Sequence, residues 1–155
     1  MKTRKEVQLN AKDYLREIAL LDIKINTILE HISDLRAKLT TIPSTSRFNP
    51  DKIPRSGIKT EYKTEEIIDK IVALEKEANG SIDEYVDRKT EALGLIHSLK
   101  NPTHIQILTK HYLGHKSWEL VARELNLSYR HTVRVHGWAL VAFQEVLDRK
   151  YSRMS

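Results

Sequence analysis

An unbroken series of apolar residues in the first third of the chain is the feature that most constrains the fold. The apolar positions alternate steps of three and four, at Ala11, Tyr14, Ile18, Leu21, Ile25, Ile28, Ile32, Leu35 and Leu39. This heptad spacing places all of them on one side of an α-helix and is typical of a helix that packs lengthwise against another. A single helix cannot bury such a seam, so a second helix or a second subunit must cover it.

A second amphipathic segment begins near Thr64, a suitable N-cap, and ends near Leu99. Its apolar residues again recur at helical spacing, although the stretch ANGSIDE interrupts them and Ser81 with Glu84 matches a capping box. We expect one continuous helix here, with a break at Gly80 as the alternative.

Residues 40–63 separate these two helices and contain three of the four prolines, which predicts a polar loop. Bases outnumber acids in this loop, so contact with nucleic acid stands as an alternative to simple solvation. Two long helices joined by a loop predict an antiparallel hairpin over residues 1–99, which would pair subunits or bind a partner.

The last third of the chain follows a different pattern, in which signals for helix ends recur at short intervals. Asn101 followed by Pro102 predicts one helix start, Ser117 and Ser128 predict two more, and Gly114 predicts a stop. Inward-facing side chains are expected at Ile105, Leu108, Tyr112, Leu113, Trp118, Val121, Ala122, Leu125, Val133, Gly137, Leu140 and Val141.

Two of these short helices are separated only by a tight turn, and the small residue Ala122 would allow them to cross closely. This is the helix-turn-helix pattern. The predicted fold class is therefore all-α, with the long helical hairpin followed by a helix-turn-helix domain over residues 100–155.

Positive charge is concentrated in the same part of the chain. Residues 1–96 hold 17 Lys and Arg against 17 Asp and Glu, whereas residues 97–155 hold 9 against 4, so the whole net charge of +5 lies there. Six of the seven histidines lie there as well. A neutral front and a basic back favour a scaffold joined to a part that meets an anion such as DNA.

The second helix of the helix-turn-helix would present its first two turns to the major groove of double-stranded DNA. Base-reading residues are predicted there, at Tyr129, Arg130, His131, Thr132 and Arg134. Arginine donates bidentately to guanine, and the other side chains can donate to bases or phosphates. Phosphate contacts are predicted from nearby bases and from the serines that begin the two helices, at Lys110, Lys116, Ser117, Arg123 and Ser128.

Several classes of function are disfavoured by what the chain lacks. It has no cysteine, no Gly-rich phosphate loop and no nucleophile motif, so we expect neither an enzyme nor a cofactor. His104, His111 and His115 fall near one side of a helix, but Gly114 is expected to end that helix first, so a metal site is disfavoured. No apolar leader or bilayer-spanning run is present, so a membrane is not an expected partner and a reducing cytoplasm is the expected location.

The stretch KSWELVARELNLSYRHTVRVHGWAL at 116–140 resembles region 4 of bacterial sigma factors. It is more similar still to a family of small phage and prophage regulators with such a domain, related in character to the ArpU and RinA late-operon regulators. The most specific positions are Trp118, Ala122, Leu125, Ser128, Val133, His136, Gly137, Ala139 and Leu140. The resemblance covers nearly the whole chain.

This resemblance implies control of phage gene transcription in the cytoplasm of the bacterial host, through promoter DNA and with RNA polymerase as a second partner. Because no sigma region 2 is recognisable, it implies an accessory regulator rather than a sigma factor. We also expect a homo-oligomer, with a dimer favoured, since one small module seldom supplies enough affinity and specificity alone.

Two alternatives remain open. A DNA-packaging protein similar to a small terminase subunit also combines a helix-turn-helix with oligomerising helices, and ring assembly would favour it. A protein–protein interaction module without DNA binding would use the basic face to meet an acidic protein surface, and its DNA affinity would not depend on Arg130 and Arg134.

Overall fold

The computed structural model describes residues 10–42 and 57–154, with side chains from residue 63 onward in the second range. All regular secondary structure in these ranges is helical, which confirms the all-α fold class. The helices are α1 (Ala11–Thr41), α2 (Gly57–His97), α3 (Pro102–Leu108), α4 (Trp118–Glu124) and α5 (Tyr129–Ser152). One π-helical turn, Thr109–Leu113, continues α3.

The two long helices differ from the sequence prediction at the ends that face the loop. Helix α2 passes through Gly80 without a break, as expected, but it begins at Gly57, before the predicted N-cap Thr64. Residues 58–63 contain neither proline nor glycine, so nothing in them opposes an extension of the helix. The predicted loop at 40–63 is correspondingly too long at both ends, and the expectation for its bases Arg47, Lys52 and Arg55 falls outside the described residues.

The chain divides into two compact units, one of residues 23–83 and one of residues 1–22 with 84–155. In the first, here called the middle unit, parts of α1 and α2 share an apolar cluster. Its members are Ile28, Ile32, Leu35, Leu39, Ile67, Ile71, Leu74 and Ala78. Ion pairs join Lys24 to Glu77, with 3.2 Å between Nζ and Oε1, and Arg36 to Glu75. The heptad seam is therefore buried within the chain in this unit.

The second unit, here called the terminal unit, contains the larger core. Its buried residues come from every helix except α4 and are Ala11, Tyr14, Leu15, Ile18, Ala92, Ile96, Leu99, Leu108, Tyr112, Leu113, Ala139, Phe143 and Leu147. Phe143 is fully buried, and removal of a side chain of this size from water contributes about 1.5–3 kcal/mol. The N-terminal seam and the C-terminal helices thus share one core, so the boundary predicted after residue 99 does not coincide with a boundary in packing.

Helix starts in the terminal unit follow the capping signals of the sequence. The Asn101 side chain accepts from the Thr103 amide at 2.9 Å, the Ser117 hydroxyl from the Leu120 amide at 3.3 Å, and the Ser128 hydroxyl from the His131 amide at 3.1 Å. Each cap satisfies one of the amide groups that a helix start leaves without a partner. The three predicted starts are confirmed.

The end of the π-helical turn is equally specific. The Gly114 amide donates to the Thr109 carbonyl at 2.9 Å, and the Lys116 amide donates to the Lys110 carbonyl at 3.1 Å. A Cβ at Gly114 would lie 2.7 Å from that Lys110 oxygen, so only glycine fits without a shift of the backbone. His115 then takes the left-handed conformation, with φ of 52°. The predicted stop at Gly114 is confirmed.

Candidate nucleic-acid interface

Helices α4 and α5 are joined by a short turn whose backbone is held by hydrogen bonds. The Leu127 amide donates to the carbonyl of the buried Ala122 at 2.9 Å, and Asn126 adopts a positive φ of 54°. A small cluster under the turn joins α3, α4 and α5 and contains Ile107, Val121 and Val135, with Trp118 and Leu125 packed against it. The turn, the caps and this cluster together determine where α5 begins and which way its first turns face.

The buried face of α5 differs from the one expected from the sequence. Its buried residues are Thr132, Val135, Ala139, Phe143 and Leu147. Val133 and Val141 were expected to face inward but are exposed, the latter by 63%, and Gly137 is exposed as well. That expectation was wrong because α5 carries apolar residues on more than one side, and the core contacts of Phe143 and Leu147 select a different side.

This register decides which predicted base-reading residues are accessible. Arg130, His131 and Arg134 are exposed, and Tyr129 is 51% exposed. Thr132 is fully buried, and its hydroxyl donates to the Ser128 carbonyl at 2.9 Å. Thr132 therefore cannot contact a base, and its predicted role is withdrawn.

The first two turns of α5 present an exposed positive surface. Arg130 and Arg134 are four residues apart, so on a helix with 3.6 residues per turn they lie on the same side. Among the residues that the structure describes, neither arginine forms an ion pair, and α5 has no acidic residue in its first turn. The start of a helix also carries a partial positive charge, which adds to the attraction for an anion.

The predicted phosphate-binding residues separate into two groups. Lys110 and Lys116 both bind Glu124, with Nζ to carboxylate distances of 2.5 and 2.7 Å. These two hydrogen bonds lower the pKa of the Glu124 carboxyl. The two lysines are thus already engaged with a carboxylate, and a phosphate would have to compete for them.

The other group remains accessible. Arg123, Ser117 and Ser128 are exposed. Each serine oxygen accepts an amide hydrogen at its helix start, but the hydroxyl proton stays available to donate to a phosphate oxygen. Their predicted roles remain predictions that the geometry permits.

A cluster of four rings lies where the π-helical turn, α4 and α5 meet. The His111 ring stacks on Trp118 with a centroid distance of 3.7 Å and an interplanar angle of 19°, and the His136 ring lies 4.4 Å from Trp118. The Tyr112 hydroxyl and His136 Nε2 share a hydrogen bond of 2.8 Å. His136 therefore has a packing and hydrogen-bonding role between these helices.

Burial keeps this cluster uncharged near neutral pH. It lowers the pKa of His136 to about 4, with smaller contributions from His111 and Lys12. Burial likewise raises the pKa of Tyr112 to about 12. Burial is also the main cause of a lowered pKa for His111, whose Nδ1 donates to the Lys116 carbonyl at 2.8 Å. The cluster therefore joins the helices by packing and hydrogen bonds and adds no positive charge to the site.

The sequence analysis did not predict that large apolar residues would be exposed near the positive surface at the start of α5. Trp138 is 53% exposed, and its ring meets the edge of the His131 ring at a centroid distance of 6.4 Å. Leu120 of α4 is exposed as well. On a helix whose buried face contains Phe143 and Leu147, Trp138 lies on the opposite, outward side. The exposure of Trp138 could therefore have been predicted from its sequence distance to those two residues.

Two of the three histidines considered for metal binding have other contacts. His111 stacks on Trp118, and His115 Nε2 lies 2.5 Å from the Asp22 carboxylate. Within the described ranges no group of three or more potential ligands is arranged to hold a metal ion. None of the helices in those same ranges is both long and apolar enough to cross a membrane.

Comparison with protein-family models, with curated proteins and with solved structures finds no match for this chain. The functional interpretation therefore depends on the residues and the geometry of the site.

Proposed function

We propose that this chain is a sequence-specific double-stranded DNA-binding protein in which α4 and α5 form a helix-turn-helix and α5 is the recognition helix. The observation that carries the proposal is the exposed face of the first two turns of α5, with Arg130 and Arg134 on one side and no acidic residue in those turns. Major-groove reading requires such a face, because arginine donates two hydrogen bonds to guanine and a carboxylate there would repel phosphate.

The surroundings of this face support the same function. The Ser128 cap and the cluster beneath the turn hold α5 at its start, which is the end that a recognition helix inserts into the groove. The accessible cation Arg123 and the hydroxyls of Ser117 and Ser128 lie on the same two helices and can contact phosphate. With Thr132 removed, the proposed reading set is Tyr129, Arg130, His131 and Arg134.

The long helices are proposed to form an antiparallel hairpin that supports this domain. In the middle unit the later part of α1 shares a cluster with the earlier part of α2, through residues such as Leu35 and Ile71. In the terminal unit the start of α1 shares a core with the end of α2, through residues such as Ile18 and Ile96. Both pairings agree with helices that run in opposite directions.

The biological role follows from the resemblance to phage and prophage regulators. We propose that the protein acts in the cytoplasm of a bacterial host as an accessory regulator of phage genes at promoter DNA, beside RNA polymerase. The same DNA-reading face would serve a packaging protein, so the identity of the bound site distinguishes the two roles.

Selection of a preferred site from random-sequence duplexes, followed by binding measurements at several salt concentrations, tests the proposal. Arg130→Ala and Arg134→Ala should each weaken binding to the selected site by about 1–3 kcal/mol and affect other sequences much less. The matched control is Lys76→Ala, which removes an exposed cation from α2 and should leave the affinity close to that of the unmodified chain.

Failure to select any sequence, or equal effects of the arginine and control substitutions, would show that α5 does not read DNA. Mapping of the bound sites in infected cells then separates the roles, since peaks at a promoter support transcription control and peaks at a packaging site contradict it.

A further inference from the structure

The outward side of α5 contains an apolar centre that no part of the described chain covers. Trp138 and Val141 are both more than half exposed, and Gly137 lies between them and the reading arginines. A Cβ at Gly137 would meet nothing within 4 Å. Glycine inside a helix costs about 1 kcal/mol relative to alanine. Gly80 and Gly94 are equally open, so the glycine alone does not indicate a partner, but at Gly137 it leaves space on the same side of α5 as Val141.

Charges are arranged on both sides of this centre with opposite signs. The basic residues Arg130 and Arg134 precede it, and the acidic residues Glu145 and Asp148 follow it, all of them exposed. Residues 130, 134, 137, 141, 145 and 148 are separated by steps of three and four, so they form one stripe along the outward side of α5. The stripe is positive at its start, apolar in the middle and negative at its end.

Such a stripe is complementary to a second copy of itself. Two α5 helices can lie antiparallel about a twofold axis that passes their outward sides at the level of residue 139. Arg130 of one copy then faces Asp148 of the other, and Arg134 faces Glu145. The same axis places Gly137 opposite Val141, where the missing side chain leaves room for the partner and for the Trp138 ring beside it. A twofold contact of this kind uses one surface twice and is therefore closed.

We propose that two copies of this protein associate through the outward stripe of α5, and that this association covers the arginines of the DNA-reading face. The occlusion rests on the proposed function, whereas the association itself rests only on the stripe. DNA and the second copy then compete for Arg130 and Arg134, so the DNA-free protein is held in a paired form that cannot read DNA.

The contact should be weak and sensitive to salt. The surface that a single pair of helices buries is at or below the lower end of the roughly 1,200–2,000 Å² that stable interfaces bury. Its ion pairs are exposed, so salt screens them. A weak pair is what competition requires, because DNA must be able to displace it.

Sedimentation equilibrium of the full chain, from low to high micromolar concentration and at two salt concentrations, tests the association. The double variant Glu145→Arg with Asp148→Arg should raise the dissociation constant by about tenfold or more, because like charges then face each other. Adding Arg130→Glu and Arg134→Glu should restore association, since every facing pair is again of opposite sign. The matched control is Asp83→Arg with Asp87→Arg, which changes the net charge equally on exposed positions of α2.

Asp148→Arg removes an exposed hydrogen bond of 2.9 Å from the Gln144 side chain, and the other substituted side chains are exposed, so the fold should be retained. Arginine near the end of α5 and glutamate near its start both oppose the helix dipole favourably, and circular dichroism will verify that the helices are retained. The charge-swapped variant should bind no selected DNA although it associates. The variant with only the two acidic positions changed should bind that DNA at least as tightly as the unmodified chain.

A chain that stays monomeric at every concentration, or a charge swap that fails to restore association, overturns the proposal. Binding of the selected duplex to the pair without dissociation overturns the occlusion. Association without any DNA binding refutes the proposed function and leaves the α5 contact in place, whereas DNA binding by a chain that does not associate at any concentration refutes only this inference.

Discussion

Protonation of His136 should weaken the terminal unit in mild acid, and the effect can be worked out from its surroundings. The imidazole shares one hydrogen bond with the Tyr112 hydroxyl and packs against Trp118. Burial lowers the pKa of His136 to about 4. In the unfolded chain a histidine binds its proton near pH 6.5. The unfolded state therefore binds more protons below that pH, and the free energy of unfolding falls as the pH decreases from about 6.5 toward 4.

The magnitude follows from the same values. The pKa of His136 is about 4 in the folded protein and about 6.5 in the unfolded chain. At about 1.4 kcal/mol for each pKa unit, this difference corresponds to roughly 3 kcal/mol. His136 is only partly buried, so solvent screening reduces this to about 1–2 kcal/mol. His136→Gln keeps an amide that can bond to the Tyr112 hydroxyl but cannot titrate. We expect the unmodified chain to lose about 1–2 kcal/mol more than this variant over that range.

Urea unfolding followed by the fluorescence of Trp118, which is in contact with His136, measures this difference. A Trp138→Phe background leaves Trp118 as the sole tryptophan of the chain. His97→Gln, which removes an exposed histidine, is the matched control. If His136→Gln and the unmodified chain lose stability in parallel as the pH falls, the reasoning that places a neutral, partly buried imidazole at this position is refuted.

Three further substitutions test local features of the fold by thermal or urea unfolding. Gly114→Ala should destabilise by about 1–3 kcal/mol, because the new Cβ would lie 2.7 Å from the Lys110 carbonyl oxygen, and a neutral result would contradict the tight turn. Ser128→Ala should cost about 1 kcal/mol through loss of the cap to His131, with Ser128→Asp restoring most of it. Gly80→Ala should stabilise by about 0.5–1 kcal/mol, since the site is open and helical, and destabilisation there would indicate a contact that the described residues do not contain.

The features that were predicted correctly depend on groups close together in the chain. The caps at Asn101, Ser117 and Ser128 need only a side-chain oxygen and an amide two or three residues later. The heptad seam is a periodicity within a single helix, and most of its residues are buried as expected. Such signals depend little on the rest of the fold.

The parts of the candidate site that were mistaken depend on distant neighbours. Thr132 was assigned to base reading because it lies in the first turns of α5. Phe143 and Leu147 pack in the core, however, and the side of α5 that contains Thr132 is buried with them. Lys110 and Lys116 were treated as free cations, but the fold brings Glu124 between them, 14 residues from one and 8 from the other. Sequence spacing alone does not place that carboxylate beside both lysines.

The sequence by itself determined that the chain is helical, where its C-terminal helices begin, and that its positive charge collects in the last third, because propensity, capping and composition are local or additive properties. Tertiary structure decided which side of α5 is buried, and with it the exposure of Arg130, Arg134 and Trp138. An amphipathic helix with apolar residues on several sides has more than one possible inward face. Only the energy of packing against the other helices selects among them.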